Sequence, residues 1–234
     1  MKENKLFFDN SLPRENHFVV EENSFLGINF LSLKEEISSK IVIDVKKGGC
    51  FVGAFADFSP LNTSFKLEVN LLEEGAKAEW HLGTMSSNKS KKEFLVDVFH
   101  KANNTEALVS NYGIARDQSR LIFKGISSID KGSIKSSTRQ EAKIIVFDEG
   151  AIGLASPALK IDENDVIASH AAVVGRLDDR HLFYLSSRGL SKEVAKRLIA
   201  MGYLNPIKDY FDDQKIKDTI AESIEGGFDN VRSL

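Results

Sequence analysis

The string ASHAAVVG, residues 168–175, holds the side chain with the widest chemical reach in this sequence, His170. An imidazole titrates near neutrality, so it can donate a hydrogen bond, accept one or bind a metal. Asp165 stands five residues earlier and could orient the ring, but no nucleophile accompanies the pair to complete a triad. On the residues alone His170 has two readings, a structural histidine bonded to nearby backbone or a group facing a ligand or partner. Cys50, in GGCFVG, is the sole cysteine. That excludes an internal disulfide, and an iron–sulphur cluster, which takes about four ligands that are mostly thiolates, cannot be held by this chain's own sulphur. Its apolar neighbours give Cys50 the reading of a small buried hydrophobe. His81, His100 and His181 show no zinc-ligand spacing with one another or with Cys50. The G-x-x-x-x-G-K-[ST], G-x-G-x-x-G, G-x-S-x-G and H-E-x-x-H patterns do not occur, so the usual signatures of an ATPase, a dinucleotide enzyme, an α/β-hydrolase and a zincin are missing. No self-sufficient active site is legible.

The elements that must carry these residues fall into two parts. From about residue 40 to 175, short β-branched runs such as KIVIDV, FKLEVNLL and KIIVF alternate with polar turns and read as strands. Gly75, Gly132 and Gly150 punctuate three of the turns, supplying a positive φ. Gly132 and Gly150 are 18 residues apart and Gly75 and Gly132 are 57 apart, which suggests a solenoid with coils of about 18–20 residues. A β-sandwich with glycine turns is the alternative that periodicity leaves open. After Gly175 the period becomes helical. Asp178 caps a helix through Ser187 with Leu182 and Leu185 on one face, and Gly189 follows its end. Ser191 caps a second helix, whose Val194, Leu198 and Met201 form an i, i+4, i+7 stripe, with Gly202 as its stop. Asn205-Pro206 opens a short third segment, and Asp212 or Asp213 starts a last helix in which Ile216, Ile220 and Ile224 share a face. The two short helices carry more apolar residues than they can bury against each other, so some pack on the β body and the rest could form a docking groove.

The bulk numbers agree with an ordinary globular chain: 234 residues, 42% hydrophobic and 28% charged. A formal net charge of -3 gives no basic field for nucleic acid. No apolar run reaches the roughly 18 residues of a membrane span, and the N-terminus shows no signal-peptide pattern, so the expected location is the cytoplasm.

The run HAAVVGRLDDRHLFYLSSRGLSKEVAKRLIAMGYLNPI, beginning at His170, resembles the C-terminal signature of the SufB/SufD family, scaffold proteins of the Suf iron–sulphur cluster assembly system. The SufD-like form of that signature is followed from Ser169 through Gly189, most densely in GRLDDRHLFYLSSRG. Upstream, Gln140, the Ile144–Val146 strand, Ser156, Pro157, Leu159, Ile161 and Val166 are similar to the family segment that leads into the histidine, and the resemblance covers roughly residues 65–225. It implies a right-handed parallel β-helix followed by a small C-terminal α-helical subdomain. By function it implies a non-catalytic scaffold, paired through its β-helix with a SufB-like subunit and docking a SufC-type ATPase through its C-terminal helices. Candidate docking residues are Leu182, Phe183, Leu185 and Arg188 of the first helix, and Val194, Leu198, Ile199 and Met201 of the second. His170 becomes a candidate cluster-assembly residue and a possible iron ligand, with the other ligands from a partner chain. The cluster itself would be transient, at a shared subunit interface.

The sequence also departs from the family. Ala171-Ala172-Val173 stands where Gly-Ala-Thr is usual, and Ala168 where SufD-like members often have cysteine. These changes leave room for a second reading, a stand-alone homodimer that has lost cluster assembly. The expected division is a short, partly irregular N-terminal extension over 1–40, a β-helix core over 41–176 and a helical subdomain over 177–234.

Overall fold

Short β-branched and aromatic runs, most of them followed by a corner residue at positive φ, though not at the corner of Gly150, wind this chain into stacked coils with two strands per coil. The computed structural model describes residues 2–228, apart from the side chains of Asp179 and His181. One parallel sheet has 7 strands: β1 (Glu3–Asp9), β3 (Phe25–Ser32), β5 (Cys50–Asp57), β7 (Lys77–Ser86), β9 (Glu106–Ala115), β11 (Ser137–Val146) and β13 (Ile167–Arg176). The other has 6: β2 (Glu15–Val20), β4 (Ile37–Val45), β6 (Thr63–Leu71), β8 (Lys91–His100), β10 (Arg120–Ile129) and β12 (Ile152–Ile161). Every strand pairs with the strand two further along the chain, which is the topology of a β-solenoid.

The coil is longer than glycine spacing suggests. Glu3 pairs with Phe25, Cys50 with Lys77 and Glu106 with Ser137, so a coil takes 22 residues at the start, 27 in the middle and 31 near the end. Gly132 and Gly150 lie at two successive corners of one coil, and their 18-residue spacing measures about half a turn. From Gly75 to Gly132 the chain makes two coils, not three. The recurrent corner residue is not always glycine. Asn23, Gly48, Gly75, Asn104 and Lys135, with φ of 51, 60, 73, 57 and 57°, occupy one corner coil after coil, each N–H donating to a carbonyl of the next coil.

Residues 2–40 also differ from expectation. Three strands fill what reads as a partly irregular extension, and β1 and β2 are the first coil of the solenoid. Its strands are short and rich in charge, which hides their period.

The interior between the sheets is an aromatic stack. Phe8 lies on Phe30 at 5.4 Å, Phe30 meets Phe55 at 5.7 Å, Phe65 stacks on Trp80 at 5.5 Å and Phe94 meets Phe123 at 5.9 Å. Burying rings in series stabilises a solenoid whose coils touch only their neighbours. One ion pair is wholly inside: Lys92 Nζ reaches Asp57 Oδ1 at 2.8 Å, and Thr63 and Ser59 hydroxyls also donate to that carboxylate.

The helices begin at the expected caps. Asp178 caps α1 (Asp179–Ser187), Ser191 caps α2 (Lys192–Leu204) and Asp213 caps α3 (Gln214–Gly226), with a 3-10 helix over Asn205–Tyr210 between the last two. α2 runs through Gly202 to Leu204, because the helix is held by tertiary packing beyond that weak residue. The subdomain covers the flank of the seven-stranded sheet. Leu204, Ile207, Phe211, Ile220 and Ile224 form a second core with Leu31, Ala56, Met85 and Ile114 of the strands. A Cβ at Gly83 would meet Ile207 at 2.8 Å, so glycine there allows the 3-10 helix to approach β7.

Candidate functional site

His170 lies on β13, the last strand of the seven-stranded sheet, whose one neighbour is β11. Side chains alternate along a strand, so residues in register share a face. Trp80, Val109, Gln140 and His170 are in register on β7, β9, β11 and β13. The first three point into the core and are at most 3% exposed. His170 occupies the same inward column, yet it is exposed. The imidazole therefore faces the axis of the solenoid at the point where no further coil covers it.

The same end lacks covering elsewhere. β12 pairs with β10 alone and β13 with β11 alone, so both strands present a free backbone edge of 10 residues. Ile167 is 74% exposed, Val173 53% and Ile152 51%. Exposed edges and large apolar side chains in one place mark a surface that another chain can cover.

The other candidate groups lie apart from His170. Cys50 is half-buried on β5, four strands away across the sheet or about 19 Å, and burial pushes its thiol up, away from reactive thiolate character. Asp165 sits in the turn before β13 and accepts from the Lys135 N–H through its backbone carbonyl. No hydrogen bond joins it to His170 among the described residues. His81 stacks on Tyr210 with ring centroids 3.8 Å apart, and burial lowers its pKa against the opposing pull of Glu79. His100 is buried, its Nδ1 2.8 Å from Thr105 Oγ1, and burial lowers it to about 4. The side chain of His181 lies outside the described residues. Among the described residues, no three His, Cys, Asp or Glu side chains are grouped to hold a metal ion, and no helix is long and apolar enough to cross a membrane.

The helical candidates divide by helix face. α2 is apolar on two sides. Its inner side uses Ala195, Ala200 and Leu204, small residues that let the helix lie close, with Ile199 and Met201 packed at the margin of the second core. Its outer side carries Val194, 41% exposed, and Leu198, 47% exposed. The larger stripe thus faces out and the alanines face in, the reverse of what side-chain size alone suggests. On α1, Leu182 is buried and Leu185 half-buried, while Phe183 is 76% exposed and Tyr184 55%. Arg188 lies over the Tyr184 ring at 4.8 Å. Phe183, Tyr184, Val194 and Leu198 remain as the outward apolar groups of this pair, and Tyr184 went unnoticed in the sequence because it interrupts the expected stripe. Lys196 anchors the helix to the solenoid through Asp148 at 2.8 Å.

Comparison with known proteins places these features in context. The family described as "SUF system FeS cluster assembly, SufBD core domain" matches residues 40–203. Over 156 residues the chain is 34% identical to the iron–sulfur cluster assembly protein SufD of Bacillus subtilis, covering 67% of this chain and 36% of that protein. An iron–sulfur cluster assembly SufBD family protein of Staphylococcus epidermidis is 26% identical over 136 residues, 58% of this chain and 29% of the relative. A SufBD family protein of Mycobacterium leprae is 29% identical over 110 residues, 47% of this chain and 13% of the relative. The chain thus spans about a third or less of the length of these relatives.

Proposed function

The chain belongs to the SufBD family of iron–sulphur cluster assembly proteins, and from that premise we propose that it is a SufD-like, non-catalytic scaffold with two docking surfaces. The first is the open end of the solenoid, where β12 and β13 pair with the matching end of a SufB-like scaffold. The observation that carries this reading is His170 standing exposed in an inward column, on a strand with a free edge. A partner covering that end would place its own groups around the imidazole. There His170 is the candidate cluster-assembly residue and a candidate iron ligand, with thiolates from the partner completing the set around a transient cluster that is cargo. The second surface is the outward stripe of Phe183, Val194 and Leu198 with Arg188, proposed to dock a SufC-type ATPase, which would supply the nucleotide chemistry this chain has no motif for.

Co-expression with a SufB-like protein and a SufC-type ATPase tests both surfaces. Expected is a three-component complex in which Val174→Lys removes the SufB-like protein and Leu198→Asp removes the ATPase, each leaving the other bound. Failure of the wild-type chain to retain either would sink the scaffold reading. The homodimer reading draws support from Ala168, Ala171 and Val173 at the open end. It expects the chain to pair with itself through the same strands, with His170→Ala leaving iron and sulphide content unchanged.

A further inference from the structure

We propose that Gln140 is the positioning residue of His170, its side-chain amide hydrogen-bonding the ring once the open end is covered. This rests on reading that end as a partner interface. Three polar atoms on the inner face of the last covered coil are buried without a hydrogen-bond partner: Ser127 Oγ, Thr138 Oγ1 and Gln140 Nε2. Each residue is at most 3% exposed. Native interiors leave few such atoms, so a group of them asks for an explanation. The cavity beside Gln140 measures about 10 Å³, at the lower limit for one water.

What lies in register below each of the three decides between them. Ser127 faces Leu159 and Thr138 faces Ala168, neither with a polar side chain. Gln140 faces His170. It alone has an imidazole nitrogen at the neighbouring position of its own column. While His170 is exposed, nothing restrains its ring. A partner that covers β13 confines the imidazole to the axis, within reach of the waiting amide. Gln140 Nε2 then donates to the unprotonated ring nitrogen, so the proton resides on the other nitrogen, which faces the partner. A half-turn of the amide presents Oε1 in place of Nε2. The ring then keeps its proton on the inner nitrogen and turns a lone pair outward, as an iron ligand requires. Either way the amide sets one tautomer and one ring plane.

The test is nitrogen NMR of ring-labelled His170 in the full chain, bound to whichever protein covers the end, a SufB-like partner or a second copy. A single tautomer is expected for the wild type. Gln140→Leu is expected to give a mixture of tautomers while partner affinity stays within about twofold, and Gln140→Glu, which only accepts, the single tautomer protonated on the inner nitrogen. The free chain should not lose thermal stability in Gln140→Leu, since the amide has no partner there; a merely structural glutamine would lower it. Normal pairing with an unchanged tautomer in Gln140→Leu overturns the positioning role alone. If nothing covers the end, the interface and the positioning role fall together. A tautomer change with normal cluster yield in His170→Ala upholds Gln140 and removes the assembly role of the histidine.

Discussion

The two ends of the solenoid are built to opposite rules. At the N-terminal end Phe8 closes the interior by stacking on Phe30, and β1 carries Glu3, Lys5 and Asp9 along its exposed side. Charge on an edge strand opposes pairing with another chain. At the C-terminal end β13 has His170 and Arg176 as its ionisable side chains, and Ile167, Val173 and Val174 are exposed. The aromatic stack stops at Phe123, and the column beyond Val109 turns polar at Gln140 and His170. The first strand mixes charge with its exposed Leu6 and Phe7, and the last is almost free of charge. Buried aromatic packing is therefore concentrated in the earlier coils, and the last coil leaves its inward side chains partly or fully exposed.

The largest expected contrast is in stability. Phe30→Ala empties a site enclosed by Phe8, Phe55, Phe65 and Trp80 and is expected to cost about 4 kcal/mol in urea unfolding. Leu154→Ala at the open end should cost less than about 0.5 kcal/mol in the isolated chain. Equal costs would erase the distinction between the ends. A pH dependence of stability is expected from His100. His100 has a folded pKa of about 4 against an ordinary value near 6.5, so between these values the unfolded chain binds a proton that the folded chain does not. Its contribution is fully present above pH 6.5 and is lost as pH falls toward 4, at most about 3 kcal/mol. His100→Gln should flatten that part of the stability–pH curve. For recognition the order reverses. Val174→Lys is expected to weaken pairing at the open end by about 10–100-fold, roughly 1.4–2.8 kcal/mol, against a change within about twofold for Leu6→Lys on β1. The smallest loss of stability at a buried site, about 1 kcal/mol or a few degrees of melting temperature, is expected for Gly83→Ala, where the 3-10 helix must shift from β7.

How much of this could be read from residues depended on whether the signal was local. Helix caps at Asp178, Ser191 and Asp213 were legible because a side chain bonds an N–H two or three residues on. The coil length was not, because a search on glycine mixes two corners, whereas the corner that repeats accepts asparagine and lysine too. The pairs Asn23-Ser24, Gly48-Gly49, Gly75-Ala76, Asn104-Thr105 and Lys135-Ser136 show the repeat once any residue tolerant of positive φ is allowed at the first position. His170 was visible as a residue at the close of the strand-rich part, but its inward direction and the unpartnered amide above it depend on register across 30 residues. Likewise, which stripe of α2 faces outward is set by where the alanines find the sheet, and sequence order does not encode that.

The lengthening of successive coils, from 22 residues at the first to 31 near the last, has a consequence for assembly. A stack that widens along its axis has ends of different perimeter, so head-to-tail association would set a narrow rim on a wide one and leave backbone groups unpaired. Wide rim on wide rim matches, and a contact of that kind uses up both mouths at once. Among the described coils the taper thus favours pairing of like rims over head-to-tail stacking, although every coil is made of the parallel strands that fibres are made of.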